Sequence, residues 1–332
     1  MIQPAGLLPI LDRFPRLTVA VWGDLVADEF ITGEIARVSR EAPVLILKQR
    51  TRALAPGGGA NAAMNLAALG VRVRLVGALG ADASGEGLRD EFARAGLDLR
   101  GVRTLARYAT PTKSRLLARH AHTSPQQVLR LDREPEPLRP PEQQRLARAA
   151  ARALRGAQAL LVSDYGYGAV TPALAAAAAA VLTTVDARFQ IAAYRGMSAA
   201  TPNEAEVEAA LGVRLAGAGR EVLESAGRRL LRRLGCRHLL ITRGRDGLAL
   251  FEPGRAPRHW PVFGSRQALD VTGAGDTVIA VFTAALAAGA DGPAAATLAN
   301  LAGGLVVMKP GTATLTRAEL ARAVQQVQAA PS

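Results

Sequence analysis

Short apolar runs of strand length alternate along the chain with longer stretches whose apolar residues recur at helical spacing. The run "RLTVAVWGD" (16–24) reads as a buried strand ending in a turn, and "ANAAMNLAALG" (60–70) as a helix stopped by Gly70. "VRVRLVGALG" (71–80) then predicts a strand and "GEGLRDEFARAG" (85–96) a helix; further strands are expected at "AQALLVSD", "AVLTTVDAR", "RHLLITRG" and "GLALFEP". Strand–helix alternation of this kind predicts an α/β fold with a mostly parallel sheet covered by helices on both faces. Two stretches, 30–54 and 110–134, carry strand-like segments with no helix between them and predict hairpins of a small β-lid. The proline-rich "REPEPLRPPEQQ" is expected to be a surface loop, with Pro140 or Pro141 opening the next helix.

Composition changes this picture little. The 332 residues suffice for a substantial core. A formal net charge of +13 invites a nucleic-acid reading, but the 41 basic residues include three lysines (Lys48, Lys113, Lys309) and are otherwise scattered arginines. No basic run is interleaved with aromatics, so no nucleic-acid partner is expected. The lone Cys236 excludes an internal disulfide and reads as a buried structural thiol. Asp12, Arg13 and Pro15 interrupt the N-terminal apolar run, and no stretch approaches the ~20 apolar residues of a membrane span. A cytoplasmic protein without a membrane partner is expected.

Chemistry concentrates in three segments. In "DVTGAGD", Gly273, Ala274 and Gly275 precede an apolar helix, where backbone amides and the helix dipole hold an anion without a lysine. Asp276 beside them serves either as a cap or as a base for phosphoryl transfer to a hydroxyl. In "APGGGANAAMN", the glycines and Asn61 suit close approach by a small polyol whose hydroxyls Asp24 and Asp28 would grip; the alternative is that these polar residues are all turn and capping residues. A dinucleotide fingerprint there is weak, because Asp82 falls among turn formers. In "TPNEAE", Asn203 and Glu206 fit either a capping box or a hard-oxygen site for Mg²⁺ near phosphates. His120, His122, His238 and His259 lack metal spacing, and no Walker loop or nucleophile elbow occurs.

The pair "GGGAN" and "DVTGAGD", in this order and far apart, resembles the two signatures of the ribokinase-like (PfkB) carbohydrate kinases, and the likeness runs over residues 18–320. Within that family, "GDLVADEF", "PGGGANAAMNLAALG", "LVSDY" and "TPNEAE" are most similar to segments of kinases acting on D-glycero-β-D-manno-heptose 7-phosphate. The resemblance implies one three-layer α/β/α domain over 1–332 with lid insertions at about 30–53 and 112–132. It implies ATP-dependent phosphorylation of a sugar hydroxyl, here the anomeric hydroxyl of the heptose phosphate. Asp276 is then the base and Gly273, Ala274 and Gly275 the anion hole. Asn203 and Glu206 organise Mg²⁺ and ATP, Thr242, Arg243 and Gly244 form the nucleotide turn, and Asn300 and Gly304 lie beside adenine. Asp28, Gly58 and Asn61 bind sugar, while Asp270 and Thr272 match a loop for a monovalent cation such as K⁺. A homodimer through the lid is expected.

Departures bear on the acceptor. Tyr167 and Arg188 stand where such heptose kinases have lysines, and Arg40 where they have proline, so Lys113, Arg115, Arg119, Arg130 and Arg188 are the candidates for a sugar phosphate. No H-x-G-H nucleotidyltransferase motif is present, and a stand-alone kinase is expected. The competing readings are a family kinase for another sugar or a nucleoside, and a non-catalytic sugar- or nucleotide-binding protein.

Overall fold

The computed structural model describes residues 6–119, 126–179, 181–264 and 269–329; His120 and His122 lie outside them. The main sheet contains β1 (Thr18–Gly23), β4 (Arg72–Gly80), β5 (Asp98–Leu105), β8 (Ala159–Asp164) and β9 (Leu182–Ala187). It continues through β10 (Ala199–Ala200), β11 (His238–Thr242), β12 (Leu248–Phe251) and β13 (Arg258–Trp260). Their spatial order is β5-β4-β1-β8-β9-β10-β11-β12-β13. All neighbours from β5 to β11 are parallel, and β12 and β13 close one edge antiparallel.

Alternation along the central strands builds two cores. Val19, Val21 and Leu161 pack into one with the helices Gly59–Ala68, Ala274–Ala287 and Gly292–Val306. Ala20, Trp22, Leu160 and Val162 point the other way, to the helices Pro140–Ala153 and Arg220–Leu234. The result is helix layers on both faces of a mostly parallel sheet, as the alternation predicts. Cys236 is buried in the second core, which pushes its thiol up to about 12.

The differences lie at the edges. "GLALFEP" follows β11 through a tight turn with no crossover helix, so β12 runs antiparallel. β5, β10 and β13 are absent from the sequence reading. β5 is an edge strand with one wet face, and the other two are too short to show a period.

The second sheet has the order β3-β2-β6-β7, from β2 (Leu25–Val38), β3 (Leu45–Gly58), β6 (Thr112–Arg119) and β7 (Gln126–Arg133). Its pairing begins with Leu25 opposite Gly58, earlier than about residue 30. "APGG" is therefore the end of a strand that delivers Gly59 to a helix.

Candidate active site

The polar groups gather where parallel strands end: Asp24 after β1, Tyr165 after β8, Asp186 and Arg188 at β9, Asn203 after β10 and Thr242 at β11. Carboxyl ends of parallel strands are the general location of ligand crevices in such sheets. The helix Ala274–Ala287 starts opposite them and sets Asp276 in the crevice, 4% exposed. Gly273 takes φ +76°, and a Cβ there would lie 2.4 Å from the Asn61 amide nitrogen, so glycine is required.

Asp276 does not cap its helix. Tyr165 donates its hydroxyl to Oδ1 at 3.0 Å, and Asn61 donates Nδ2 to Oδ2 at 3.0 Å and to the Gly273 carbonyl at 3.1 Å. Burial raises its carboxyl to about 7; the Asn61 and Tyr165 hydrogen bonds oppose this, Asp28 adds to it, and Lys113 opposes it. Of the two roles open to this residue, its hydrogen bonds do not serve the cap. Of the three anion-hole residues, Ala274 turns its amide back to the Val271 carbonyl at 3.3 Å. Gly275, in the first turn, has open space beside it and lines two cavities.

One cavity, of about 450 Å³, is lined by Asn203, Thr242, Gly244, Gly275, Asn300 and Gly304, which brings together the expected nucleotide residues apart from Arg243 and Glu206. The Arg243 guanidinium instead pairs with Glu204 at 2.9 Å, a correction: the turn contributes backbone, and its cation serves the neighbouring helix. Asn300 donates to the Pro261 carbonyl at 2.9 Å, and Gly304 lets Phe263 pack on the helix.

The second cavity, of about 160 Å³, joins Tyr165, Asp186, Arg188, Asn203, Glu206 and Gly275. Asn203 and Glu206 form a reciprocal capping box, both bonds 2.9 Å. The cap leaves Glu206 acting on Asp186: burial and then the Glu206 charge push the Asp186 carboxyl well above its ordinary range. Two carboxylates that repel each other, with the Arg188 guanidinium acting on Glu206, fit a hard divalent ion. Among the described residues no group of three or more ligating side chains converges.

Arg130 and Arg188 both lie near enough to Lys113 for their charges to act on it. Burial and then Arg188 lower the Lys113 ammonium, which lies 5.0 Å from the Tyr165 ring centroid. Arg130 pairs with Asp132 at 2.9 Å, and Arg188 stacks over Phe189. Arg115 pairs with Asp28, whose other oxygen accepts from Thr312 at 3.2 Å. Arg119 is a correction, since it pairs with Glu34 far along the lid. Tyr167 donates to Glu134 at 3.2 Å and so stands aside from the cation cluster.

Asp24 is a further correction. It does not face a sugar: its carboxylate accepts the amides of Tyr165, Tyr167 and Ala169 and fixes that loop. Gly58, with φ +57°, passes beside the Tyr165 ring. Asp270 accepts the amides of Thr272 and Gly311, so it braces the loop that carries the glycines. Asp82 caps the helix Ala83–Arg94 through the Gly85 amide, as a turn residue would. Tyr165 and Asp186 escaped the sequence reading; Tyr165 lies just past a predicted strand and Asp186 near the carboxyl end of one, and that position is the signal that points to them.

Residues 18–319 match the model of the pfkB family carbohydrate kinases. The chain is 43% identical over 323 residues to the bifunctional protein HldE of Azotobacter vinelandii, covering 96% of this chain and 66% of that one. It is 37% identical over 320 residues to HldE of Desulfatibacillum aliphaticivorans, covering 94% and 64%. The chain thus spans just under two thirds of the length of these curated relatives. Arabidopsis thaliana ribokinase, in a structure with ribose and ATP, superposes with a TM-score of 0.72 at 21% identity, covering 93% of this chain and 98% of that one. Escherichia coli phosphofructokinase-2, in a structure with substrates and products, gives 0.76 at 17% over the same shares. At those identities the solved structures establish the fold. The match along nearly the whole chain establishes the rest: this chain belongs to the pfkB family of carbohydrate kinases and is an ATP-dependent sugar kinase.

Proposed function

We propose that the chain transfers the γ-phosphoryl group of ATP to the anomeric hydroxyl of D-glycero-β-D-manno-heptose 7-phosphate. The observation that carries this is Gly275, shared by the nucleotide-sized cavity and the acidic cavity, with the buried Asp276 next in the chain. ATP lies in the larger cavity with its phosphates toward the helix start, where the Gly275 and Asp276 amides meet the charge. Asp276 takes the hydroxyl proton as the acceptor oxygen bonds to the γ-phosphorus and the bond to ADP breaks. A carboxyl near 7 suits a base at neutral pH. Asp186 and Glu206 would hold Mg²⁺, which supplies charge neutralisation at the phosphates. Asp270 and Thr272 would lie beside K⁺ if a monovalent ion is used.

The heptose rests on the sequence resemblance and on Lys113, Arg130 and Arg188, three cations for a sugar phosphate. Asn61 and Asp28 orient the sugar, Asp28 being held by Arg115 and Thr312. A homodimer would use the apolar side chains that the lid exposes, among them Val128, Leu129 and Leu131. A single domain and a cytoplasmic location go with this reading; among the described residues no helix is long and apolar enough to cross a membrane. The test is coupled ADP release over a panel of heptose 7-phosphate, hexose phosphates, free sugars and nucleosides. Fastest turnover of the heptose 7-phosphate is expected. Preference for an unphosphorylated sugar or a nucleoside overturns the acceptor, and binding without ADP release overturns the transfer.

A further inference from the structure

Tyr165 touches Asp276 and is explained by none of the roles assigned so far to the anion hole, the cation cluster or the sugar-binding Asn61. Its backbone is fixed, because its amide donates to the buried Asp24 at 2.8 Å. Its ring is fixed too, between Gly58, where a Cβ would lie 3.1 Å from Cε2, and the Lys113 ammonium at 5.0 Å. From there the hydroxyl reaches Asp276 Oδ1 while Asn61 holds Oδ2. A carboxylate oxygen has two lone-pair sites, so each oxygen keeps one for a further donor. With both partners in place the carboxylate cannot turn about its last torsion without breaking a bond.

We propose that Tyr165 is a positioning residue for the phosphoryl transfer, whose O–H fixes the Asp276 carboxylate to face the acceptor hydroxyl. The inference rests on Asp276 being the base. In the step itself the acceptor's proton goes to Asp276, and Tyr165 keeps its own. Burial and then the Asp276 charge hold the phenol well above its ordinary range, so it donates a hydrogen bond and does not ionise. The charged groups around Asp276 are Asp28 from β2, Lys113 from β6 and Asp186 from β9. Asp28 and Asp186 disfavour its charge, and Lys113, Asn61 and Tyr165 favour it. Removing the phenol O–H deletes one of the favouring contacts and raises the carboxyl further.

The test is Tyr165→Phe in the full chain, with ATP, Mg²⁺ and heptose 7-phosphate, the transfer step being read in single turnovers across pH. The rate is expected to fall about ten- to a hundred-fold, as for loss of a hydrogen bond to a charged group. KM for both substrates should change less than about threefold, and the acid limb should move up by about one pH unit. An unchanged rate, or a loss equal at every pH with the limb in place, overturns the proposal. Asp276→Asn run in parallel separates the two ideas. Turnover surviving there overturns the base reading and the proposal with it, whereas turnover lost there with an unmoved limb in Tyr165→Phe overturns the proposal alone. If Tyr165→Phe fails to fold, 3-fluorotyrosine in place of all four tyrosines answers the same question. Of the tyrosines, Tyr165 donates to Asp276, and a more acidic phenol donates more strongly. The limb should then move down, and a fixed limb overturns the proposal.

Discussion

Replacing Asp276 by Asn should make the protein more stable while removing most of its activity, and the size of the gain should depend on pH. Burial raises this carboxyl from 3.8 to about 7. An Asp that holds its proton more tightly when folded loses stability as pH rises between those two values. Above the upper value both states are ionised and the whole cost is present; below the lower value it vanishes. Three units at about 1.4 kcal/mol each give a cost on the order of 4 kcal/mol at about pH 8. The amide introduced by Asp276→Asn has the same shape without the charge. It can turn its oxygen to the Asn61 amide and its nitrogen to the Tyr165 hydroxyl, which also accepts. Thermal melts of the ligand-free chain should show a rise of roughly 5–10 °C at about pH 8, taking about 2 °C per kcal/mol for a chain of this size. At about pH 5 the gain should be smaller by about 3 kcal/mol, since the folded carboxyl is then protonated in the parent as well. Turnover should fall by about 10²–10⁴-fold with nucleotide binding kept. A variant that melts lower, gains equally at both pH values, or turns over within about tenfold of the parent would refute the reasoning.

Other expectations are sharper for being local. Gly273→Ala puts a Cβ on a φ of +76°, 2.4 Å from Asn61 and 2.9 Å from Thr312. It should cost about 1–3 kcal/mol in melting experiments and more than about tenfold in turnover, because Asn61 holds the base. Lys113→Met should raise KM for a phosphorylated acceptor about tenfold or more and leave KM for ATP alone in initial-rate assays, as expected for loss of a charged contact. Arg243→Ala should leave KM for ATP within about twofold and cost under about 1 kcal/mol in denaturation, because its guanidinium is occupied by Glu204.

The parts of the site legible in the sequence are those whose chemistry is local. The glycines before Asp276 and the Asn203–Glu206 box each act within one helix turn, and spacing alone displays them. The helix cover on both faces was legible too, since strand-length apolar runs alternate with helical segments along the chain. What spacing does not display is partnership across the chain. Tyr165 meets Asp276 across 111 positions, and Thr312 meets Asp28 across 284. An aspartate near a strand end looks the same whether it meets side chains, as Asp28 meets Arg115 and Thr312, or backbone amides, as Asp24 does.

That ambiguity has a physical cause, and it explains why the motifs misassigned Asp24. This residue stands at the end of β1, where the chain turns up into the lid, and β8 lies alongside it. The amides of 165–169 must find acceptors as that neighbouring loop folds back, and a buried donor left unmatched would cost about 1–3 kcal/mol. Asp24 meets three of them with one carboxylate, although burial raises that carboxyl to about 6. The loop it fixes is the one that presents Tyr165. Asp24 therefore serves the acceptor site at one remove: it costs a buried charge and returns a rigid phenol beside Asp276.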